Sequence, residues 1–155
     1  MHFLIVVGAK YLIAAPVLLL AWCIYATRGR TRKELVWLAT ISLLATYAVG
    51  YMASLLFYNA RPFVVEHFTP LISHAADNGF PSDHMLLGAA IAMVGYFLSR
   101  RLGAILWVLA ILVGISRVAA GIHHTIDIVG SSVIAIVVVS ATEYILHKKN
   151  LKKPS

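Results

Sequence analysis

Five apolar runs constrain the fold of this chain more than any other feature. They cover approximately residues 9–26, 35–58, 84–99, 103–120 and 125–146. A helix crosses the hydrocarbon core of a bilayer with about 20 apolar residues, and an isolated helix satisfies its own backbone groups in lipid. We therefore predict an all-α, polytopic membrane bundle of about five transmembrane helices.

Composition supports a membrane protein. Hydrophobic residues make up 61% of the chain and the mean hydropathy is +0.86, whereas soluble domains contain about 45–50% apolar residues. The 155 residues leave room for five helices and short connections, so 1–155 is predicted to be a single membrane-embedded domain. The first run follows no basic segment and is too long for a signal peptide, which predicts a retained helix.

The basic residues indicate the orientation of the bundle. A pI near 9.8 raises nucleic-acid binding as a possibility, but ten of the 13 Lys and Arg residues fall in short clusters between or after apolar runs. Such clusters are typical of cytoplasmic topology signals, so we predict no nucleic-acid partner. The ten residues are Arg28, Arg30, Arg32, Lys33, Arg100, Arg101, Lys148, Lys149, Lys152 and Lys153.

These clusters alternate with the two other connections, 59–83 and 121–124. One orientation accounts for all of them, with the N-terminus and these two connections outside. Lys10 then lies at the outer end of the first helix, where the snorkelling of a long charged side chain to the membrane surface explains it. Arg61 and Arg117 also fall on the outer side, against the charge rule, and need a separate reason.

The same outer side carries further polar residues that are expensive near lipid and therefore suggest a functional site. Arginine presents a planar cationic fork that suits phosphate oxygens, although Arg61 and Arg117 would equally suit pairing with Asp77, Glu66 or a lipid headgroup. In "GFPSDHM" (79–85), Pro81 is expected in the first helical turn, with Ser82 or Asp83 as a cap. That helix N-terminus would attract an anion, with His84 beside it.

The segment "HHTID" (123–127) contains a candidate nucleophile. His123 and Asp127 are four residues apart and share a face if the segment is helical, while His124 is three residues from Asp127 and would serve almost as well. A carboxylate bound to one imidazole nitrogen leaves the other free to attack. These residue types also suit a metal, but the ligand spacing is not typical of one and the arginines favour an anion.

Together these residues predict phosphoryl transfer. A histidine backed by Asp127 would attack phosphorus, and His84 would protonate the leaving oxygen. Arg61, Arg117, Ser82 and backbone N–H groups would stabilise the charge on the phosphoryl oxygens. No metal and no other cofactor is expected to take part.

Three motifs resemble the signatures of the type 2 phosphatidic acid phosphatase superfamily. They are "RP" at Arg61–Pro62, "PSDH" at Pro81–His84 and "SRVAAGIHHTID" at Ser116–Asp127. The resemblance covers a motif core of about 54–130 and implies a membrane-embedded, metal-independent phosphatase that uses a phosphohistidine. It selects His123 over His124, and it implies catalytic roles for His123, His84 and Asp127, with substrate binding by Arg61, Ser82, Asp83 and Arg117.

The sequence departs from the family pattern in ways that refine the expectation. Ser54 stands where the first motif has a lysine, seven residues before Arg61, and Asp83 replaces a more common glycine. "ARPF" and "FPSDH" resemble the bacitracin-resistance branch, the undecaprenyl-diphosphatases. This implies a bacterial plasma-membrane enzyme that acts on undecaprenyl diphosphate at the outer face and recycles the cell-wall lipid carrier. The family commonly has six spans, so a first helix is expected to be missing.

Other interpretations remain open at this stage. A phosphatase for phosphatidylglycerol phosphate, phosphatidate or a lipid A phosphate would present the same motifs, because apolar tail recognition leaves little sequence signal. A non-catalytic structural or transport subunit would use the polar groups for helix packing. The sequence does not select an oligomeric state.

The orientation is testable by cysteine labelling in intact cells. In a Cys23→Ala background, we expect cysteine in place of Asp77 to react with an impermeant thiol reagent, and cysteine in place of Lys152 to stay unlabelled until the cells are permeabilised. The reverse pattern would place the polar residues in the cytoplasm.

Overall fold

The computed structural model describes residues 2–151, with side chains up to 148, and its regular secondary structure within that range is helical. One isolated bridge pairs Ala60 with Asn78. The helices are α1 (His2–Lys10), α2 (Ala14–Ala26), α3 (Gly29–Leu56), α4 (Pro62–Val65), α5 (Asp83–Leu98), α6 (Arg100–Ala119) and α7 (Thr125–Leu151). This agrees with the predicted all-α membrane bundle.

Fewer helices are long enough to span a membrane than the five that the sequence predicted. Among the described residues, α3, α6 and α7 are long and apolar enough to cross a membrane, and α1 with α2 would make a fourth span bent by 42°. The count of five is not confirmed, because α5 has 16 residues. At 1.5 Å per residue it is about 24 Å long, less than the hydrocarbon core of about 30 Å.

The short helix α5 is the centre of the bundle. It packs against α2, α3, α6 and α7, and nine of its residues are buried. Small residues make this close packing possible, as they do in membrane helices generally. Ala89, Ala90 and Ala92 are fully buried, and Gly88 faces Ala110 of α6.

Helices α5 and α6 form a tight hairpin. Ser99 alone separates them, in an extended conformation with φ of −158°. A Cβ on Gly103 of α6 would lie 2.6 Å from the Cα of Tyr96, so only glycine fits there. The hairpin fixes the C-terminal end of α6 beside the N-terminal end of α5.

The two ends of the bundle differ in chemistry. The N-termini of α3 and α6 and the C-terminal part of α7 carry the basic clusters, of which Lys152 and Lys153 lie outside the described residues. The opposite end joins the C-termini of α3 and α6 to the N-termini of α5 and α7. All the polar residues singled out in the three motifs belong to this second end.

Candidate active site

A cavity of about 380 Å³ lies at this second end of the bundle. Its walls come from the C-terminal half of α3, the 57–82 connection, the first turns of α5, the last turn of α6 and the α6–α7 turn. The lining residues that carry polar side chains are Tyr47, Tyr51, Ser54, Arg61, His74, Asp77, Asn78, Asp83, Arg117 and His123. Four of the predicted site residues, Arg61, Asp83, Arg117 and His123, therefore share one cavity.

The His123 ring is held by one nitrogen and presents the other to two arginines. Nδ1 lies 2.9 Å from the carbonyl oxygen of Gly79 and 3.4 Å from Oδ2 of Asp127. Because both neighbours are acceptors, the proton resides on Nδ1, and the unprotonated Nε2 accepts from the two guanidinium groups. Nε2 lies 3.2 Å from Arg117 Nη2 and 3.4 Å from Arg61 Nη1.

Burial lowers the pKa of His123, and the charges of Arg117 and Arg61 lower it further, although the hydrogen bond to Asp127 acts in the opposite direction. The ring is therefore neutral near pH 7 in the free protein. A neutral imidazole whose Nε2 faces two cations has the protonation state of a nucleophile for an anionic substrate.

Asp127 is fully buried and accepts hydrogen bonds from two further directions. Oδ1 accepts from Asn59 Nδ2 at 2.7 Å, and Oδ2 accepts from the backbone N–H of His124 at 2.8 Å. Such charge-assisted bonds are the strong ones in proteins, each stabilising by about 1.5–3 kcal/mol. They fix the carboxylate in front of His123, and they make Asn59 part of the site.

Arg61 is 5% exposed and has a fixed orientation. Its Nε donates to Asp77 Oδ1 at 2.7 Å and its Nη1 donates to the carbonyl oxygen of Ile122 at 2.8 Å. The pairing with Asp77 that the sequence left open is thus present. Burial raises the pKa of Asp77, but the hydrogen bond and charge of Arg61 outweigh this and lower it overall.

Arg117 has no such carboxylate partner. Within the described residues it makes no ion pair. Its Nη1 donates to the carbonyl oxygen of Ala9 at 3.2 Å, and its Nε is buried without a hydrogen-bond partner. Its charge is therefore available to an anion in the cavity.

The start of α5 differs from the expected capping arrangement. The helix begins at Asp83, so Pro81 precedes the first turn, and Ser82 occupies the N-cap position without a side-chain capping bond. The Ser82 hydroxyl is buried without a partner among the described residues, while its N–H bonds Ser131 Oγ at 2.8 Å. Ser82 is fully buried and does not line the cavity.

His84 and His124 take different positions from His123. His84 Nε2 lies 3.5 Å from Arg117 Nη1, at the edge of the arginine cluster, but His84 does not line the cavity described above. His124 Nε2 is 3.1 Å from the carbonyl oxygen of Ala60. The structure thus turns His123, and not His124, toward both arginines.

The connection 57–82 supplies residues that sequence patterns did not assign to the site. Asn78 accepts at Oδ1 from the N–H groups of Asn59 and Phe80, and its Nδ2 donates to the carbonyl oxygens of Ser54 and Phe57. It therefore ties the end of α3 to the loop before α5.

Across the described residues, no group of three or more His, Cys, Asp or Glu side chains is placed to hold a metal ion.

The sequence model of the PAP2 superfamily matches residues 34–151, and the chain belongs to this family. The match begins within α3 and includes every residue of the cavity. It agrees with the resemblance inferred from the three motifs.

Curated relatives carry two different descriptions. The chain is 36% identical over 124 residues to undecaprenyl-diphosphatase BcrC of Bacillus subtilis, covering 80% of this chain and 63% of that protein. It is 30% identical over 113 residues to the bacitracin transport permease protein BcrC of Bacillus licheniformis, covering 72% and 56%. The chain therefore spans less than two thirds of the length of either relative.

A solved structure has the same fold. The crystal structure of Aquifex aeolicus LpxE superposes with a TM-score of 0.67, covering 90% of this chain and 81% of that one at 23% identity. The two chains therefore share the arrangement of their helices.

The charge of Arg117 beside His123 predicts how the pKa of this histidine responds to a substitution. Replacing Arg117 by glutamine removes a cation 3.2 Å from Nε2, so the imidazolium becomes less costly and the pKa of His123 should rise. NMR titration of ¹⁵N-histidine-labelled protein in detergent would measure the change. Arg100→Gln, at the opposite end of α6, is the matched control and should leave this pKa unchanged. A fall in the pKa of His123 in the Arg117 variant would contradict the assigned geometry.

Proposed function

We propose that the protein is a membrane phosphatase that removes the terminal phosphate of a polyprenyl diphosphate, undecaprenyl diphosphate in particular. One observation carries the proposal: the Nε2 atom of His123 faces two arginine guanidinium groups in a cavity, while its Nδ1 is fixed by Gly79 and Asp127. A neutral nucleophile surrounded by cations suits an anionic phosphorus centre.

The proposed reaction has two steps. Nε2 of His123 attacks the terminal phosphorus, the bond from phosphorus to the bridging oxygen breaks, and lipid monophosphate leaves as a phosphohistidine forms. Water then attacks that phosphorus, the P–N bond breaks, and inorganic phosphate is released with the histidine restored. Asp127 stabilises the positive charge that develops on the ring, by analogy with other carboxylate–histidine pairs.

The remaining site residues stabilise charge and move a proton. Arg61 and Arg117 neutralise the phosphoryl oxygens, and the N–H of Asp83 at the start of α5 would donate a hydrogen bond to them. The role predicted for Ser82 would require its buried hydroxyl to turn toward the cavity. His84, next to Arg117, is the proposed proton donor to the leaving oxygen in the first step, and it takes a proton from the attacking water in the second. No step requires a metal ion.

The size and charge of the cavity favour a diphosphate. Its 380 Å³ is about 13 times the ~30 Å³ that a water molecule occupies in the liquid, enough for more than one phosphate group. Ser54, which stands in place of the family lysine, lines the wall and is neutral. Lys10 is exposed and does not line the cavity, so we propose that two arginines suffice for the substrate.

The proposed location is the outer face of the bacterial plasma membrane. The cavity lies at the end of the bundle opposite the basic clusters of α3 and α6, and such clusters favour the cytoplasmic side. The lipid tail would remain in the bilayer while its phosphates enter the cavity.

Two alternatives are tested with the same protein. A phosphatase for phosphatidylglycerol phosphate, phosphatidate or a lipid A phosphate would use the same catalytic groups. A transport function is suggested by the name of the Bacillus licheniformis relative, but an oriented histidine whose unprotonated nitrogen faces two arginines favours catalysis.

A substrate panel would test the proposed function. Purified protein in detergent, with EDTA present, should release phosphate faster from undecaprenyl diphosphate than from phosphatidylglycerol phosphate or phosphatidate, and vanadate should inhibit. A preference for a monophosphate would select the alternative substrate class. Strict dependence on a divalent ion would contradict the mechanism, and no release from any lipid would exclude the phosphatase function.

The two neighbouring histidines give a second test. His123→Ala should abolish turnover of undecaprenyl diphosphate because the nucleophile is lost, whereas His124→Ala should retain much of it. Stopped reactions with ³²P-labelled substrate should trap acid-labile, base-stable phosphoprotein in wild type and in the His124 variant only. If the two variants exchange these results, the nucleophile is His124.

A further inference from the structure

The sequence offers His124 as a second candidate nucleophile, and the proposed mechanism gives its side chain no role. The ring is partly buried, and Nε2 lies 3.1 Å from the carbonyl oxygen of Ala60. A carbonyl oxygen only accepts hydrogen bonds, so Nε2 carries a proton and donates to this oxygen. A protonated ring nitrogen has no lone pair for attack, so this contact serves another purpose.

The carbonyl group that His124 holds belongs to the peptide unit directly before Arg61. The Ala60 carbonyl and the Arg61 N–H lie in one plane, because the peptide bond is planar. Fixing the oxygen therefore fixes the plane from which the Arg61 side chain extends. Among the described residues, no other hydrogen bond reaches this oxygen, so the imidazole of His124 is what anchors it.

The segment that carries His124 also contacts the far end of the Arg61 side chain. Arg61 Nη1 donates to the carbonyl oxygen of Ile122 at 2.8 Å and lies 3.4 Å from Nε2 of His123. The backbone before Arg61 and its guanidinium are thus both held against residues 122–124. Removing one of these two attachments would give the long arginine side chain freedom to move away from the proposed nucleophile.

The backbone of His124 has a separate role that a side-chain substitution leaves in place. Its N–H donates to Asp127 Oδ2 at 2.8 Å, and Asn59 Nδ2 donates to Asp127 Oδ1 at 2.7 Å. Neither bond involves the imidazole, so the carboxylate behind His123 keeps both donors in any variant of His124. Such a variant therefore isolates the bond to Ala60.

We propose that His124 is a positioning residue: its imidazole N–H holds the carbonyl before Arg61, and this keeps the guanidinium beside Nε2 of His123. The role rests on the proposed function, in which Arg61 binds the phosphoryl group, although the geometry is testable without substrate. Of the two adjacent histidines, one attacks phosphorus and the other fixes a cation that receives the phosphoryl oxygens.

The pKa of His123 reports the position of Arg61, because a nearby cation makes the imidazolium costly. His124→Ala should raise this pKa, since the guanidinium is no longer held 3.4 Å from Nε2. Asp77 still holds Nε of Arg61, so the rise should be smaller than in Arg61→Gln. NMR titration of ¹⁵N-histidine-labelled protein in detergent would measure it.

Two conservative variants separate the hydrogen bond from the volume of the ring. Glutamine can place its amide N–H close to the position of Nε2, so His124→Gln should return the pKa of His123 toward the wild-type value. The asparagine amide is one carbon closer to the backbone, so His124→Asn should behave like His124→Ala. The asparagine variant also keeps the test decisive if the alanine variant does not fold.

A double-mutant cycle identifies the route of the effect. In an Arg61→Gln background, His124→Ala should leave the pKa of His123 unchanged, because the cation that it positions is absent. In an Arg117→Gln background, the same substitution should still raise this pKa. An equal rise in both backgrounds, or no rise in the wild-type background, would overturn the positioning role.

Phosphate binding is the measurement that depends on the proposed function. In turnover of undecaprenyl diphosphate, His124→Ala should raise the inhibition constant of orthophosphate by roughly 3- to 10-fold, the range expected for one hydrogen bond. His124→Gln should reverse most of this increase. An unchanged inhibition constant in an active His124→Ala variant would overturn the inference and leave the function standing. If the wild-type protein releases phosphate from no lipid, the proposed function falls, whereas the pKa measurements still decide the role of His124.

Discussion

The buried carboxylate of Asp127 is the interaction on which the site depends. A fully buried charge is costly in a membrane protein unless it is paired and hydrogen-bonded. Here three donors come from two parts of the chain: Asn59 after α3, and the His124 backbone and His123 ring in the α6–α7 turn. Satisfying one carboxylate therefore joins the end of α3 to the α6–α7 turn and sets the direction of the proposed nucleophile.

The packing of the helices also positions the polar groups of the site. The one-residue connection at Ser99 and the close approach at Gly103 keep α5 and α6 in register, and this places Arg117 beside the start of α5. Gly79 has a similar role in the loop, because a Cβ there would lie 3.0 Å from the carbonyl oxygen of Asn59 and 3.2 Å from Asp127 Oδ2. Tight backbone contacts thus hold the polar groups where lipid offers no polar solvation.

The sequence predicted the helical bundle well because hydropathy is a local property. The runs at 35–58, 84–99, 103–120 and 125–146 correspond to α3, α5, α6 and α7, with boundaries shifted by a few residues or more. Motif spacing also indicated Arg61, Arg117, His123 and Asp127, which the structure brings together. Asn59, His74 and Asn78 were not assigned, since they belong to an irregular connection where only contacts across the fold reveal a position. The helix count of five was not confirmed, because burial inside the bundle allows α5 to be short.

The shortness of α5 has a consequence for access to the membrane. The short helix α5, about 24 Å long, begins well below the end of α3. The carbonyl oxygen of Asp83, its first residue, accepts a hydrogen bond from the hydroxyl of Tyr47, and α3 continues from Tyr47 to Leu56. At 1.5 Å per residue, the nine residues after Tyr47, ending at Leu56, put the start of α5 roughly 14 Å below the end of α3. A lipid headgroup bound by the proposed catalytic groups would therefore sit below the end of α3, with the 57–82 connection above it.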